Sequence, residues 1–263
     1  MALQELEQNG YQVKFLSHAQ AILEADFPGV LAEIEEALCG LTIPIEEIIG
    51  SGGGETKGTQ RLRRALASVG WTKANFEIVK TINGVKRESQ SHEVDHVKTV
   101  KDHGVIALEI EWNNKDPFFD RDLENFKRLH AEGAISVGII ATRGTSMQDQ
   151  MKTLVRRFAD EKKLKSVDDL AALGLHPTAR QQKNFATRMK GGATFAEAWP
   201  LSFVQDKYGA ATTHWRKLEE RVHRGVGNPC PLLLIGLPAS IVTFGESAQV
   251  VAKLLEEATE EAE

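Results

Sequence analysis

Val94–Val100 and Val105–Trp112 are rich in apolar residues, and only Lys101, Asp102, His103 and Gly104 separate them. Such a short polar gap ending in glycine leaves room for a turn, so the stretch reads as a β-hairpin. Asp95 and Glu109 stand about equally far from that turn and are expected to face each other across the ladder. Glu111 follows Glu109 by two residues. Strand side chains alternate, so both glutamates point to one face. Three carboxylates then converge. Like charges that close raise one another's pKa values or need a cation between them. An oxygen-rich cluster suits Mg²⁺, which uses few carboxylates and keeps positions for water and phosphate. Two solvated acids on a half-exposed strand would give the same alternation, so the flanking residues decide. Trp112-Asn-Asn-Lys-Asp-Pro-Phe-Phe-Asp-Arg-Asp-Leu123 is dense in side chains that read bases and phosphates, and it leads straight into a helix.

The rest of the chain bounds this reading. Its 263 residues fit one domain over 1–263, with a helical N-terminal part and helix-rich insertions around 146–225. A net charge of −5 argues against a protein that coats DNA by bulk electrostatics, but not against one whose basic residues line a single cleft. Cys39 and Cys230 are too few and too distant for a disulfide framework or a zinc ligand set. No apolar run is long enough to span a bilayer, and MALQELEQNG lacks the parts of a secretory signal. The expectation is a soluble cytoplasmic protein with no membrane partner.

In chain order, helical spacing over Ser17–Leu38 breaks at Phe27-Pro28-Gly29 and predicts two helices, followed by a short segment at Ile45–Ile49. Ser51-Gly-Gly-Gly-Glu55 is a glycine-rich turn before a helix over Thr56–Val69, without the spacing of a Walker motif. Trp71–Ile82 reads as a strand, and Asn83-Gly84 as the hairpin turn returning through Val85–Gln90. Asp102 rivals Asp95 as a ligand, but it sits in the turn and should point to solvent. Asp120–His130 is an amphipathic helix with Leu123, Phe126 and Leu129 inward. Ile135–Thr142 and Pro231–Gly236 are apolar runs suited to buried strands. Arg143 follows the first of these and serves either a salt bridge or DNA. Ser146–Leu173 and Pro177–Met189 are helix-rich and the most basic part of the chain, and Ser247–Glu263 reads as an amphipathic helix with an acidic tail.

The segment Glu93–Arg143, with its Asp95 and its LeuGluIleGluTrp run, resembles the catalytic core of type II restriction endonucleases of the BglII and BamHI group. These belong to the PD-(D/E)xK nuclease superfamily, whose usual ExK becomes ExE or ExQ in that group. Val94 stands where the superfamily often has proline. The resemblance implies an α/β fold, a central mixed sheet flanked by helices. It implies Mg²⁺ held by Asp95, Glu109 and the carbonyl of Ile110, with Glu111 orienting water or binding a second ion. Glu55 is the candidate for a fourth site acid from an upstream helix. DNA contacts are expected from Asn113, Asn114, Lys115, Asp116, Arg121 and Arg143. Lys207–Lys217 resembles a segment that lies near DNA in relatives, which adds Thr212, Thr213 and His214, unless these only open a capped helix. A homodimer cutting double-stranded DNA at a palindrome and leaving 5′ overhangs is the implied activity. Two rivals stay open: a structure-specific repair or junction nuclease of the same fold, and a catalytically silent DNA-binding protein.

Overall fold

In the computed structural model of the chain, residues 3–50 and 56–245 are described. They form, in chain order, α1 (Gln4–Gln8), β1 (Gln12–Leu16), α2 (Ala19–Asp26), α3 (Val30–Cys39), β2 (Ile43–Pro44), α4 (Ile45–Gly50) and α5 (Lys57–Ser68). The strands β3 (Thr72–Ile82), β4 (Val85–Val100) and β5 (Gly104–Glu111) follow, then α6 (Phe118–Ala131) and β6 (Val137–Arg143). The remainder is α7 (Thr145–Glu161), α8 (Val167–Ala172), α9 (Ala179–Lys190), α10 (Phe195–Lys207), α11 (Trp215–His223), β7 (Leu232–Leu237) and β8 (Val242–Thr243). The glycine-rich turn with Glu55 and the expected tail helix 247–263 lie outside the described residues.

A six-stranded mixed sheet in the order β1-β7-β6-β5-β4-β3 carries the fold. Its middle pairs, β7–β6 and β6–β5, are parallel, and the outer pairs are antiparallel. Every residue of β6 and β7 is buried, as expected for parallel strands covered on both faces. Alternation then sorts the strand side chains. Ile106, Leu108, Ile139 and Leu233 pack on one face with Leu23, Ile34, Met151 and Trp199 from the N-terminal helices, α7 and α10. Ala107, Ile140 and Leu234 pack on the other with Phe119, Leu123 and Phe126 of α6 and Trp215 of α11.

Local chemistry explains the punctuation. Asn83 and Gly84 both have positive φ, 51° and 79°, which the tight β3–β4 turn requires. Thr56 caps α5 by accepting from the Thr59 backbone N–H at 3.3 Å. The 16-residue β4 runs on past the predicted hairpin arm into the acidic hairpin without a break, so β3–β4 forms one long, largely exposed ribbon. A register shift between the Thr72↔Val97 and Ala74↔Val94 pairs places an irregularity in β4 at Asp95 and His96.

Some elements are ones that the sequence reading did not delimit. Gln12–Leu16 forms the edge strand β1, and Phe195–Lys207 forms α10 with Pro200 inside it. Helix α6 begins two residues before the expected Asp120.

Gly138 on β6 lets α6 lie close to the sheet, because a Cβ there would stand 2.4 Å from the Phe126 ring. Overpacking a core of this kind costs about 1–3 kcal/mol. Gly138→Ala is therefore expected to lower the melting temperature in a calorimetric scan, and an unchanged value would show that α6 shifts freely.

Candidate active site

The β4–β5 ladder pairs His96 with Leu108 and Val97 with Ala107, which makes Asp95 and Glu109 the next residues out. Glu109 and Glu111 share the face that packs on α6, and both are buried, at 4% and 3% exposure. Two residues that the sequence reading did not single out join them. Asp122, from the second turn of α6, is fully buried. His92, on β4 two residues before the buried Val94, lies with its Nε2 3.8 Å from Glu109 Oε1. His92, Glu109 and Asp122 bring one ligand atom each within 4.8 Å of one another, so they could hold a metal ion.

Asp95 sits at the rim. Its backbone N–H bonds the Glu109 carboxylate, while its exposed side chain lies 3.6 Å from Lys73 Nζ. Its charge still reaches Glu109 and raises that group's pKa. The acids buried together are Glu109, Glu111 and Asp122, and the Asp95 carboxylate stands outside them at the irregularity in β4.

Burial dominates the electrostatics. Desolvation, then the charges of Asp122 and Asp95, push Glu109 up to about 9. Desolvation, then Asp122, push Glu111 up to about 9. Burial also lowers the pKa of His92. Arg121 offsets part of the crowding: its guanidinium lies 2.8 Å from Asp122 Oδ1 and 3.5 Å from Glu111 Oε1, over the Phe118 ring.

The loop after β5 borders the site. Asn114 donates its amide to Glu111 Oε2 at 2.8 Å, fixing that carboxylate's orientation. Asp116 is half-buried beside Arg221 at 3.2 Å and Lys217 at 3.8 Å. Lys115 is exposed, and Asn113 keeps a buried carbonyl oxygen without a donor.

Residues 113–116 pair with residues 211–213 through Thr213 N–H to Asn114 O and Asp116 N–H to Ala211 O. Thr213 Oγ1 also accepts from the Asn114 backbone N–H at 3.0 Å. Arg143 closes the arrangement from below. Fully buried, it donates to Trp112 O at 2.8 Å, Thr213 O at 2.7 Å, Thr212 Oγ1 at 2.6 Å and the Gln148 side chain, and desolvation lowers it to about 10. His214 precedes α11 in the interior, and burial, then Arg143, lower it to about 4. Arg143, Thr213 and His214 are thus all buried, and Arg143 and Thr213 hold the loop that carries Asn114.

Signals for the missed residues existed. Asp122 falls on the inward stripe of α6 next to Leu123 and Phe126, where a polar side chain is out of place. His92 shares strand parity with Val94.

The raised glutamates make a pH prediction. A carboxyl held above its ordinary value of 4.5 favours the folded state when protonated. That contribution is complete below 4.5 and is lost as pH rises towards about 9. Metal-free protein should therefore lose stability from about pH 5 to about pH 8 relative to Glu109→Gln, a neutral mimic of the protonated acid. Melting curves in chelator check it, and a constant difference across the window would contradict the burial argument.

A model of the family described as "Restriction endonuclease BglII/BglIII" matches residues 11–237. No curated protein matches the chain.

Proposed function

Because the chain belongs to the BglII/BglIII restriction endonuclease family, a family of DNA-cleaving hydrolases, we propose that it is a Mg²⁺-dependent type II enzyme. In this reading it cuts double-stranded DNA at a short palindrome, leaves 5′ overhangs and acts as a homodimer, since two-fold protein symmetry mirrors a two-fold site. No helix among the described residues is long and apolar enough to cross a membrane. A cytoplasmic location goes with the same reading.

The observation that carries it is the pair of buried carboxylates, Glu109 and Glu111, at the end of β5 with Asp95 at the rim. The donor set fits a hard divalent cation: it is all oxygen at Asp95, Glu109 and the Ile110 carbonyl, and its crowded charge calls for a positive partner. Bound there, Mg²⁺ would polarise a scissile phosphate and lower the pKa of a water. Glu109 and Asp95 would hold the ion. Glu111, oriented by Asn114, would align the water or accept its proton. Glu55, outside the described residues, stays a candidate fourth acid. Exposed Lys115, half-exposed Arg121 and the Asn113 amide are the side chains of this edge offered to DNA. Asp116, Thr212, Thr213, His214 and Arg143 would support that edge from within.

Digesting DNA of known sequence with Mg²⁺ and mapping the ends tests the whole reading. Discrete fragments with one end sequence are expected. Cleavage only at branched structures, or none with intact binding, would transfer the protein to the rival classes. Glu109→Ala should abolish cleavage while specific binding stays measurable, and a variant cutting at wild-type rate would remove Glu109 from the site.

Asn114→Ala tests the orientation of Glu111. Loss of one hydrogen bond to a charged group costs about 1.5–3 kcal/mol, so the single-turnover rate should fall by roughly tenfold or more. If the loss appears instead in cognate binding at unchanged rate, Asn114 reads bases.

A further inference from the structure

We propose that His92, Glu109 and Asp122 form a cation site of their own, on the α6 side of the acidic hairpin, for a nitrogen-accepting divalent ion of the zinc and cobalt class.

The three donors come from β4, β5 and α6, so the fold itself sets their convergence within 4.8 Å. His92 Nε2 and Glu109 Oε1 are 3.8 Å apart. Two ligands of a tetrahedral ion, each about 2.0–2.2 Å from it, stand roughly 3.3–3.5 Å from one another, so a small side-chain adjustment closes the set. Asp122 supplies the independent sign of a missing partner. Its Oδ1 accepts from Arg121 at 2.8 Å, while Oδ2, on a fully buried residue, meets no N–H donor, and the other side chain Asp122 hydrogen-bonds is a second carboxyl, Glu111. A buried carboxylate oxygen without a partner costs stability, and an ion at this point would provide the partner. Asn125 Nδ2, a donor, lies 2.8 and 3.1 Å from the two ring nitrogens and holds the imidazole's lone pair, so a bound ion takes the place of that amide at the ring.

The imidazole decides which ion. Carboxylate, carbonyl and water suit Mg²⁺, whereas imidazole suits Zn²⁺ and its borderline neighbours. The site therefore differs in selectivity from the all-oxygen set at Asp95, Glu109 and Ile110. Glu109 belongs to both, so an ion drawn to His92 and Asp122 takes that carboxylate from the Mg²⁺ position and slows cleavage. The site rests on its own geometry; only this consequence for catalysis rests on the proposed Mg²⁺ reading.

Titrating the metal-free full chain with Zn²⁺ alone, without DNA, by calorimetry tests the site. One ion per chain is expected. His92→Ala and Asp122→Asn should each weaken binding by about tenfold or more, the order by which losing a metal's supporting group lowers affinity. Asp95→Asn should change it far less. Co²⁺ should give a visible absorption band that His92→Ala removes. Metal-free melting curves establish that Asp122→Asn folds; if it does not, the half-buried His92 variant carries the test alone. Unchanged Zn²⁺ affinity in His92→Ala, or a loss led by Asp95→Asn, overturns the proposal. Zn²⁺ binding lost in His92→Ala, in a protein that shows no Mg²⁺-dependent cleavage, supports it and counts against the nuclease reading alone.

Discussion

Two glutamates buried side by side against a buried aspartate constrain everything around them. Charged groups of like sign cannot be taken out of water together without either protons or cations. The chain answers in three ways. Arg121 leans in from the surface of α6, Asn114 donates to one carboxylate, and the Asp95 backbone N–H bonds another. Arg121 offsets only part of the crowding, which is the reason the reading proposed above places a divalent ion at the end of β5. A surface carrying the same acids would be solvated and indifferent to metal.

Holding that cluster requires a firm edge, and Arg143 provides it. A guanidinium with no carboxylate partner is costly to bury, yet here its donors meet two backbone carbonyls, a threonine hydroxyl and a glutamine. The planar fork ties the end of β6 to Trp112 and to Thr212 and Thr213. A lysine, with its single point of charge, would satisfy fewer of these acceptors.

The hairpin and the shared face of Glu109 and Glu111 were legible because strand periodicity and turn chemistry act over a few residues. The buried strands β6 and β7 were legible for the same reason: each is a continuous apolar run. What the sequence did not disclose depends on distant parts meeting. Asp122 reads as one more acid on an amphipathic helix until α6 is laid on β5, and His92 reads as a polar strand residue until the same contact forms. Arg143 reads as a strand-end cation because its acceptors lie about 30 and 70 residues away in the chain. β1 is short and only half-buried, so its alternation is weak. Helix α10 buries residues on several sides, so it has no polar face to give a period.

Strand β7 has a consequence for how the protein is made. It lies between β1 and β6, bonded to both, yet it is the last strand of the central sheet to leave the ribosome. Until residues 232–237 emerge, β1 has no partner and β6 has an open edge. The loop that carries Asn114 likewise waits for residues 211–213. Domains fold as units during synthesis only when their pairing segments are all available. The nascent chain therefore holds its acids without the frame that orients them, and it gains that frame only once residues 211–237 have emerged.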